Sequence, residues 1–265
     1  MTDAWDPTTY GRFADERRQP FHDLVSLIGS RPIGTAVDLG CGPGELTRLA
    51  ADQLGCTSMT GIDNSASMLA KSEEHAGGGV TFRFGDIGSW TSSADVDLVL
   101  ASASLQWVPD HAGVLRRWTA GLRPGGQLAV QVPANAHMPS HTLAEEVADT
   151  EPFRSAFGAD GPPPDPVARN VLEPEVYASL LDDLGFVEQH VRLQVYPHVL
   201  PSSRSVVDWV RGTTLTRFQS CLPAEVFDAF VEAYERRLIE VIGERSPHFF
   251  PFRRILFWGR LATSS

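Results

Sequence analysis

The sequence predicts an α/β fold: a seven-stranded, mostly parallel sheet with helices on both faces and helical insertions. Three observations carry this. Between Thr35 and Val132, short apolar runs alternate with segments of helical spacing, the βαβα order that builds a parallel sheet. The run "VDLVLASAS" (Val96–Ser104) is almost wholly apolar, as expected of a strand buried on both faces. In "TAVDLGCGPGELTRLAADQLG" (Thr35–Gly55), an apolar strand meets Gly40, Gly42 and Gly44 and then opens into a helix-like run.

The elements follow in order. In residues 1–34, "FHDLVSLIG" (Phe21–Gly29) has helical spacing at Phe21, Leu24, Val25 and Ile28. Thr35–Leu39 is a short strand and Glu45–Leu54 a helix. Ser58–Asp63 is the second strand and Ala66–His75 the second helix, broken by three glycines at 77–79. Val80–Asp86 alternates like a strand, Val96–Ser104 is the fourth strand, and His111–Gly121 is helical. "RPGG" (Arg123–Gly126) reads as a turn and Gln127–Val132 as the fifth strand. Beyond Pro133 a helix is predicted over Leu143–Phe157, then a loop "GADGPPPDP", a helix over Glu173–Leu184 and a strand over Phe186–Leu193. Residues 202–243 carry no strand signal; Phe227, Phe230, Val231, Tyr234, Leu238 and Val241 keep helical spacing there. Arg254–Ala262 is the last strand.

Composition narrows the function. The 265 residues carry a formal net charge of −11, which argues against a nucleic-acid backbone as partner. A small anion needs only a local cluster of cations. Lys71 is the only lysine, so nearly all the basic residues are arginines, planar forks suited to carboxylates. Cys41, Cys56 and Cys221 are too scattered for a disulfide framework or a zinc site. No apolar run is long enough to span a membrane, and "MTDAWDPTTY" has neither the basic region nor the apolar core of a secretory signal. A cytoplasmic protein without a metal is the expectation.

A strand ending in a glycine turn that opens a helix is a nucleotide-type site. Glycines admit positive φ, and the helix N-terminus presents unbonded N–H groups. The candidates are a dinucleotide and S-adenosylmethionine. The dinucleotide fingerprint is G-x-G-x-x-G; here the pattern is G-x-G-x-G, and Glu45 stands where the third fingerprint glycine would be. A glutamate at the mouth of a pyrophosphate site is repulsive. A zwitterionic methionine lacks that phosphate charge, and Asp38 can help hold its ammonium, directly or by orienting the loop. Asp63 and Asp86 close the second and third strands. There they suit the ribose hydroxyls and the adenine amino group.

The set "VDLGCGPG", "GIDNS", "FGDI" and "LASASLQWV" resembles the class I S-adenosylmethionine-dependent methyltransferases over roughly residues 35–135. The resemblance implies a Rossmann-like core in which Gly40, Cys41 and Gly42 line the methionine. Asp63, Asn64 and Met68 would hold ribose and adenine, Asp86 and Ile87 adenine, and Ala101 and Ser102 would lie under the cofactor. Cys41 itself reads as a small loop residue without chemistry.

Outside that core, "WDPTTYGRFADERRQPFHDLV", "ASLQWVPDH", "VPANAHMPSH", "VVDWVRGTTLTRF" and "FRRILFWGR" resemble the trans-aconitate 2-methyltransferase family, over nearly the whole chain. "ERRQP" (Glu16–Pro20) and the loop "GADGPPPDP" depart from it. The resemblance implies one methyltransferase domain over 1–265, with 1–34, 134–170 and 201–250 as helical lid and acceptor-binding segments. It also implies methyl transfer to a carboxylate of trans-aconitate, giving a monomethyl ester and S-adenosylhomocysteine. No catalytic base is expected, because a carboxylate of pKa ~4 is already ionised at neutral pH. Arg17, Arg217 and Arg254 match the family's arginines and are candidates for the acceptor's other carboxylates. Tyr10 and Tyr196 are candidate hydroxyl donors, and Trp107 and His141 candidate walls. Two other readings stay open: an O-methyltransferase of another small acid or natural product, with His22, His137 or His141 as base for a hydroxyl, and a non-catalytic cofactor-binding regulator.

Overall fold

The structure, a computed structural model, describes residues 14–29 and 32–263, with side chains from Arg18 onward. Its strands are β1 (Thr35–Leu39), β2 (Ser58–Asp63), β3 (Val80–Phe84), β4 (Val96–Ser102), β5 (Leu122–Pro133), β6 (Phe186–Leu200) and β7 (His248–Leu261). They form one seven-stranded sheet in the order β3-β2-β1-β4-β5-β7-β6. β1 pairs in parallel with β2 and β4, β2 with β3, and β4 with β5, whereas β7 runs antiparallel to β5. The chain steps outward from β1 to β3, then returns to the other side of β1 for β4 and β5. That reversal makes the β1/β4 boundary a topological switch point, where sheets of this kind open a crevice beyond their carboxyl ends.

The described chain divides into two compact units. One comprises Asp15–Ala134, Asn170–Gln194 and the chain from Arg253 onward. Its core is aliphatic, built from Val99, Leu115, Leu128 and Val130 around Trp118, with Tyr177 stacked on Phe257 at 4.4 Å. The other comprises Asn135–Arg169 and Val195–Phe252. Its core is aromatic: Phe230 lies 4.8 Å from Phe218 and 5.4 Å from Phe153, centroid to centroid. The helix Ala224–Ile242 buries Phe227, Phe230, Val231, Tyr234 and Leu238, the stripe its spacing predicts. Val241, the last member of that spacing, is exposed.

Five boundaries differ from the sequence expectation. Arg123–Gly126 does not bound β5 but lies inside it. Leu122 pairs with Val96 and Gln127 with Leu98, so the extra residues bulge out and the ladder resumes on both sides. The predicted helix over Leu143–Phe157 is two helices, Pro139–Ala148 and Phe153–Ala156. Pro152 supplies no N–H and disfavours helical geometry in the residue before it, while the apolar spacing continues across the break. β6 extends to Leu200, and β7 begins at His248. Pro197 and Pro251 mask both extensions in the sequence. β6 is the edge strand, where a proline is tolerated, and Pro251 precedes the last β5–β7 pair, Pro133 opposite Arg254. Finally, the Ala66–His75 helix ends at Ser72 and tightens into a 3₁₀ turn over Glu73–His75.

Among the described residues no helix is long and apolar enough to cross a membrane, and no group of three or more His, Cys, Asp or Glu could hold a metal ion.

Candidate functional site

The carboxyl end of β1 carries a buried acid. Asp38 is 3% exposed, and its Oδ2 accepts a 2.5 Å hydrogen bond from Thr47 Oγ1, on the helix that follows the glycine loop. Burial pushes the carboxyl up to about 7, opposed by the Thr47 hydrogen bond and assisted by the nearby charge of Asp63. The bond also ties the strand end to the helix, so the loop between them is fixed at both ends.

Gly40, Gly42 and Gly44 all have positive φ, at 84°, 54° and 83°. A Cβ on Gly40 would collide with Ser104, and one on Gly44 would lie 2.7 Å from Phe82 Cζ. A Cβ on Gly42 would instead project into open space, so its bareness leaves room on the crevice side. Gly44 caps the helix Glu45–Leu54 in the left-handed conformation without a side-chain hydrogen bond. The first-turn N–H groups of that helix are therefore offered as an anion site. Glu45, in that first turn, pairs with Arg18 at 2.6 Å.

Asp63 closes β2 and organises the loop. Its Oδ2 accepts from the Gly42 N–H and its Oδ1 from the Ser65 N–H, both at 2.8 Å. Both carboxylate oxygens thus take part in holding the loop. Asn64 beside it is exposed, and Met68 is buried on the next helix, its N–H capped by Ser65 Oγ. Cys41 is buried in the loop, and burial raises its thiol well above the ordinary range, which keeps it unreactive. Past β3, Asp86 is exposed and accepts the Gly88 N–H at 3.0 Å. The Ile87 carbonyl is held by Trp118 Nε1 at 2.9 Å.

The end of β4 turns sharply. Ala101 is fully buried and Ser102 partly so. Ala103 has φ of 57°, an uncommon conformation for a non-glycine residue. Its N–H donates to Gln131 O at 2.9 Å, and its carbonyl accepts from Gln106 Nε2 at 2.7 Å. Ser104 Oγ reaches across the switch point to Leu39 O at 2.5 Å. Below the turn, Tyr177 Oη accepts the Leu172 N–H at 3.2 Å and donates to His111 Nδ1 at 2.7 Å, which must accept because the other ring nitrogen faces a carbonyl. His111 Nε2–H in turn donates to Leu105 O at 2.9 Å. Burial lowers the His111 pKa, consistent with this neutral tautomer. The turn so held presents Trp107, 38% exposed.

The acceptor candidates fall into separate settings. In the sheet-bearing unit, Arg254 is buried on β7, and its Nη1 donates to Gln131 Oε1 at 2.8 Å. In the other unit, Arg217 and His141 come together. Arg217 forms an ion pair with Glu145, donates to Pro163 O at 2.6 Å and to Thr214 O at 3.2 Å, and stacks over Phe218 at 4.2 Å. His141 bonds Ser140 Oγ and Thr214 Oγ1, each at 3.1 Å. Tyr196 is buried with its ring stacked on His198. Tyr10 and the Arg17 side chain lie outside the described residues.

His141 supports a stability prediction. Burial lowers its pKa to about 4, with Asp165 opposing and Arg217 and His137 assisting. A histidine kept neutral in the fold contributes stability above its unfolded pKa of about 6.5, and that stability is lost as pH falls toward 4. The expected loss is up to about 3 kcal/mol. Thermal unfolding between pH 7 and pH 4 checks it: His141→Gln should flatten the slope relative to the unaltered protein, and an unchanged slope would refute it.

Sequence reasoning missed Thr47, Arg18, Ser104 and Gln131. Thr47 is a short hydroxyl residue just past the glycine turn, a weak signal, and Ser104 meets Gly40 only in the fold. Arg18 meets Glu45 across 27 residues of sequence, which periodicity does not reveal. Gln131 had a visible signal, a polar residue within the apolar run "QLAVQV".

Comparison with known proteins bears on the whole chain. Residues 36–126 match a family model described as a methyltransferase domain. The structure is similar to the YcgJ protein of Bacillus subtilis, with a TM-score of 0.61 at 14% identity, covering 93% of this chain and all of that one. It is also similar to a Haemonchus contortus phosphoethanolamine N-methyltransferase 2 solved with S-adenosylhomocysteine, with a TM-score of 0.57 at 17% identity, although this chain spans only about half (53%) of that protein. These likenesses establish a Rossmann-like fold. In sequence, the trans-aconitate 2-methyltransferase of Streptomyces avermitilis is 40% identical over 95% of each chain. That of Deinococcus radiodurans is 40% identical over 96% of this chain and 97% of its own. With agreement at that level across both units, the chain belongs to the trans-aconitate 2-methyltransferase family.

Proposed function

We propose that this protein transfers a methyl group from S-adenosylmethionine to a carboxylate of trans-aconitate, producing a monomethyl ester and S-adenosylhomocysteine. The observation that carries the reading is the near-full-length similarity to proteins named for that reaction.

The residues present suit the cofactor. The bare N-terminus of the helix Glu45–Leu54 fits its carboxylate. Asp38 fits its ammonium, and Gly40 and Gly42 let the methionine chain approach the backbone. Asp63 and Asn64 are assigned to the ribose, Met68, Asp86 and Ile87 to adenine, and Ala101 and Ser102 to the floor. When bound, the cofactor supplies an electrophilic methyl on a good leaving group. The acceptor carboxylate needs no proton removed, so the protein's task is alignment, worth up to ~7–11 kcal/mol.

Arg254 is assigned to an acceptor carboxylate other than the attacking one, since a bidentate grip on the attacking oxygens would lower their reactivity. It lies at the carboxyl edge of the sheet, opposite Pro133 at the end of β5. Trp107 is assigned to the acceptor's flank. A small anion rather than a nucleic acid is the acceptor in this reading, as the net charge of −11 favours. The three free cysteines fit a reducing, cytoplasmic setting.

The test is a panel of trans-aconitate, cis-aconitate, citrate, isocitrate and a phenol, each incubated with protein and S-adenosylmethionine. Formation of S-adenosylhomocysteine with clear preference for trans-aconitate is expected. Preference for the phenol would replace a carboxylate acceptor with a hydroxyl one and require a base.

A further inference from the structure

Gln131 is 2% exposed near the carboxyl end of β5, and the reaction as assigned above leaves it without a task. The β4–β5 register places it beside Ser102, and the β5–β7 register places Arg254 two residues along from its direct partner Leu256. With side chains alternating along each strand, Ser102, Gln131 and Arg254 form a row across three strands on one face of the sheet. The row is hydrogen-bonded throughout: Arg254 Nη1 donates to Gln131 Oε1 at 2.8 Å, and Gln131 Nε2 donates to Ser102 Oγ at 2.9 Å.

We propose that Gln131 is a positioning residue for acceptor recognition, holding the Arg254 guanidinium at the ligand edge of the sheet and tying it to Ser102. The inference rests on the carboxyl-methyltransferase reading and deepens it. The amide can sit only one way round, because a flip would set its NH₂ against the guanidinium, donor to donor. Holding one N–H fixes the plane of the fork, and that plane sets the angle at which the guanidinium faces a carboxylate. A neutral amide does this without cancelling the charge that the acceptor needs. A glutamate would fix the same geometry while competing for the same charge. The bond to Ser102 adds a second constraint: Ser102 Oγ acts as acceptor toward Gln131, so its own proton is directed elsewhere.

The experiment uses Gln131→Met, of similar length without either hydrogen bond, and Gln131→Glu. Steady-state kinetics with trans-aconitate give KM and kcat, and calorimetry gives the S-adenosylmethionine Kd. Expected for Gln131→Met is an acceptor KM raised about 10-fold or more, with the cofactor Kd held within about threefold. Gln131→Glu should raise KM further. A purely structural role would weaken cofactor and acceptor together. That outcome, or unchanged KM in both variants while the unaltered protein turns over, overturns the assignment. If the buried carboxylate of Gln131→Glu prevents folding, Gln131→Met decides on the same two values. Absence of trans-aconitate turnover in the unaltered protein overturns the acceptor reading itself, so the two failures are distinguishable.

Discussion

Asp38→Asn is expected to stabilise the ligand-free protein while weakening its grip on S-adenosylmethionine. The carboxyl is 3% exposed, and burial lifts its pKa to about 7. A raised carboxyl pKa means that the folded state favours the protonated form, so above about pH 7 the fold carries an unfavourable buried charge that the unfolded chain does not. Asparagine removes that charge and can still accept the Thr47 hydrogen bond. At pH 8 the gain should be roughly 1–4 kcal/mol, several degrees in Tm. It should shrink to less than half by about pH 5 and vanish only below about pH 4, where the unfolded carboxyl is protonated as well. Cofactor binding should move the opposite way. Loss of the only charge assigned to the ammonium should raise Kd about 30- to 100-fold. In the unaltered protein, affinity should fall about tenfold per unit as pH drops below 7. Calorimetry and thermal melts at pH 5, 7 and 8 measure both. A variant with normal cofactor affinity would reduce Asp38 to a loop anchor.

Arg254→Gln is expected to strike acceptor binding, and Arg217→Gln stability. Removing the buried cation assigned to the acceptor carboxylate should raise the acceptor KM about 100-fold, close to 3 kcal/mol, with cofactor affinity little changed. Arg217 is engaged differently. Its guanidinium is ion-paired with Glu145 and hydrogen-bonded to the carbonyls of Pro163 and Thr214. Its loss leaves those partners to be resolvated, and about 1–3 kcal/mol of stability should go with it. Kinetics and denaturant melts on both variants separate the two roles. An acceptor KM that rises in Arg217→Gln at unchanged stability would reverse the assignment.

The parallel core was legible because each signal was local. The apolar β4, the bare turn between β1 and its helix, and Asp63 at the end of β2 all follow from period, glycine and strand-end position. The misread boundaries share a different origin. Arg123–Gly126 and Pro152 are the same kind of punctuation locally, yet one only bulges a strand and the other ends a helix. What decides is whether neighbouring strands recover the interrupted hydrogen bonds, as β4 does around Leu122 and Gln127. Pro197 is tolerated for a reason visible only in the sheet order, which places β6 at the edge. In the site, residue types were legible and partners were not. Asp63 was read as a ribose ligand, but its bond to the Gly42 N–H spans 21 residues. Arg217 and Arg254 look alike in sequence. Only the fold separates one beside a glutamate from one held by a glutamine.

The most direct test is the fate of the methyl group. Purified protein would be incubated with methyl-labelled S-adenosylmethionine and trans-aconitate, and the product analysed by mass spectrometry before and after mild base. Expected is label in a base-labile monomethyl ester, formed in step with S-adenosylhomocysteine and greatly reduced in Arg254→Gln. Tight cofactor binding with no label in any aconitate ester would contradict the proposed reaction and leave the acceptor to be sought elsewhere.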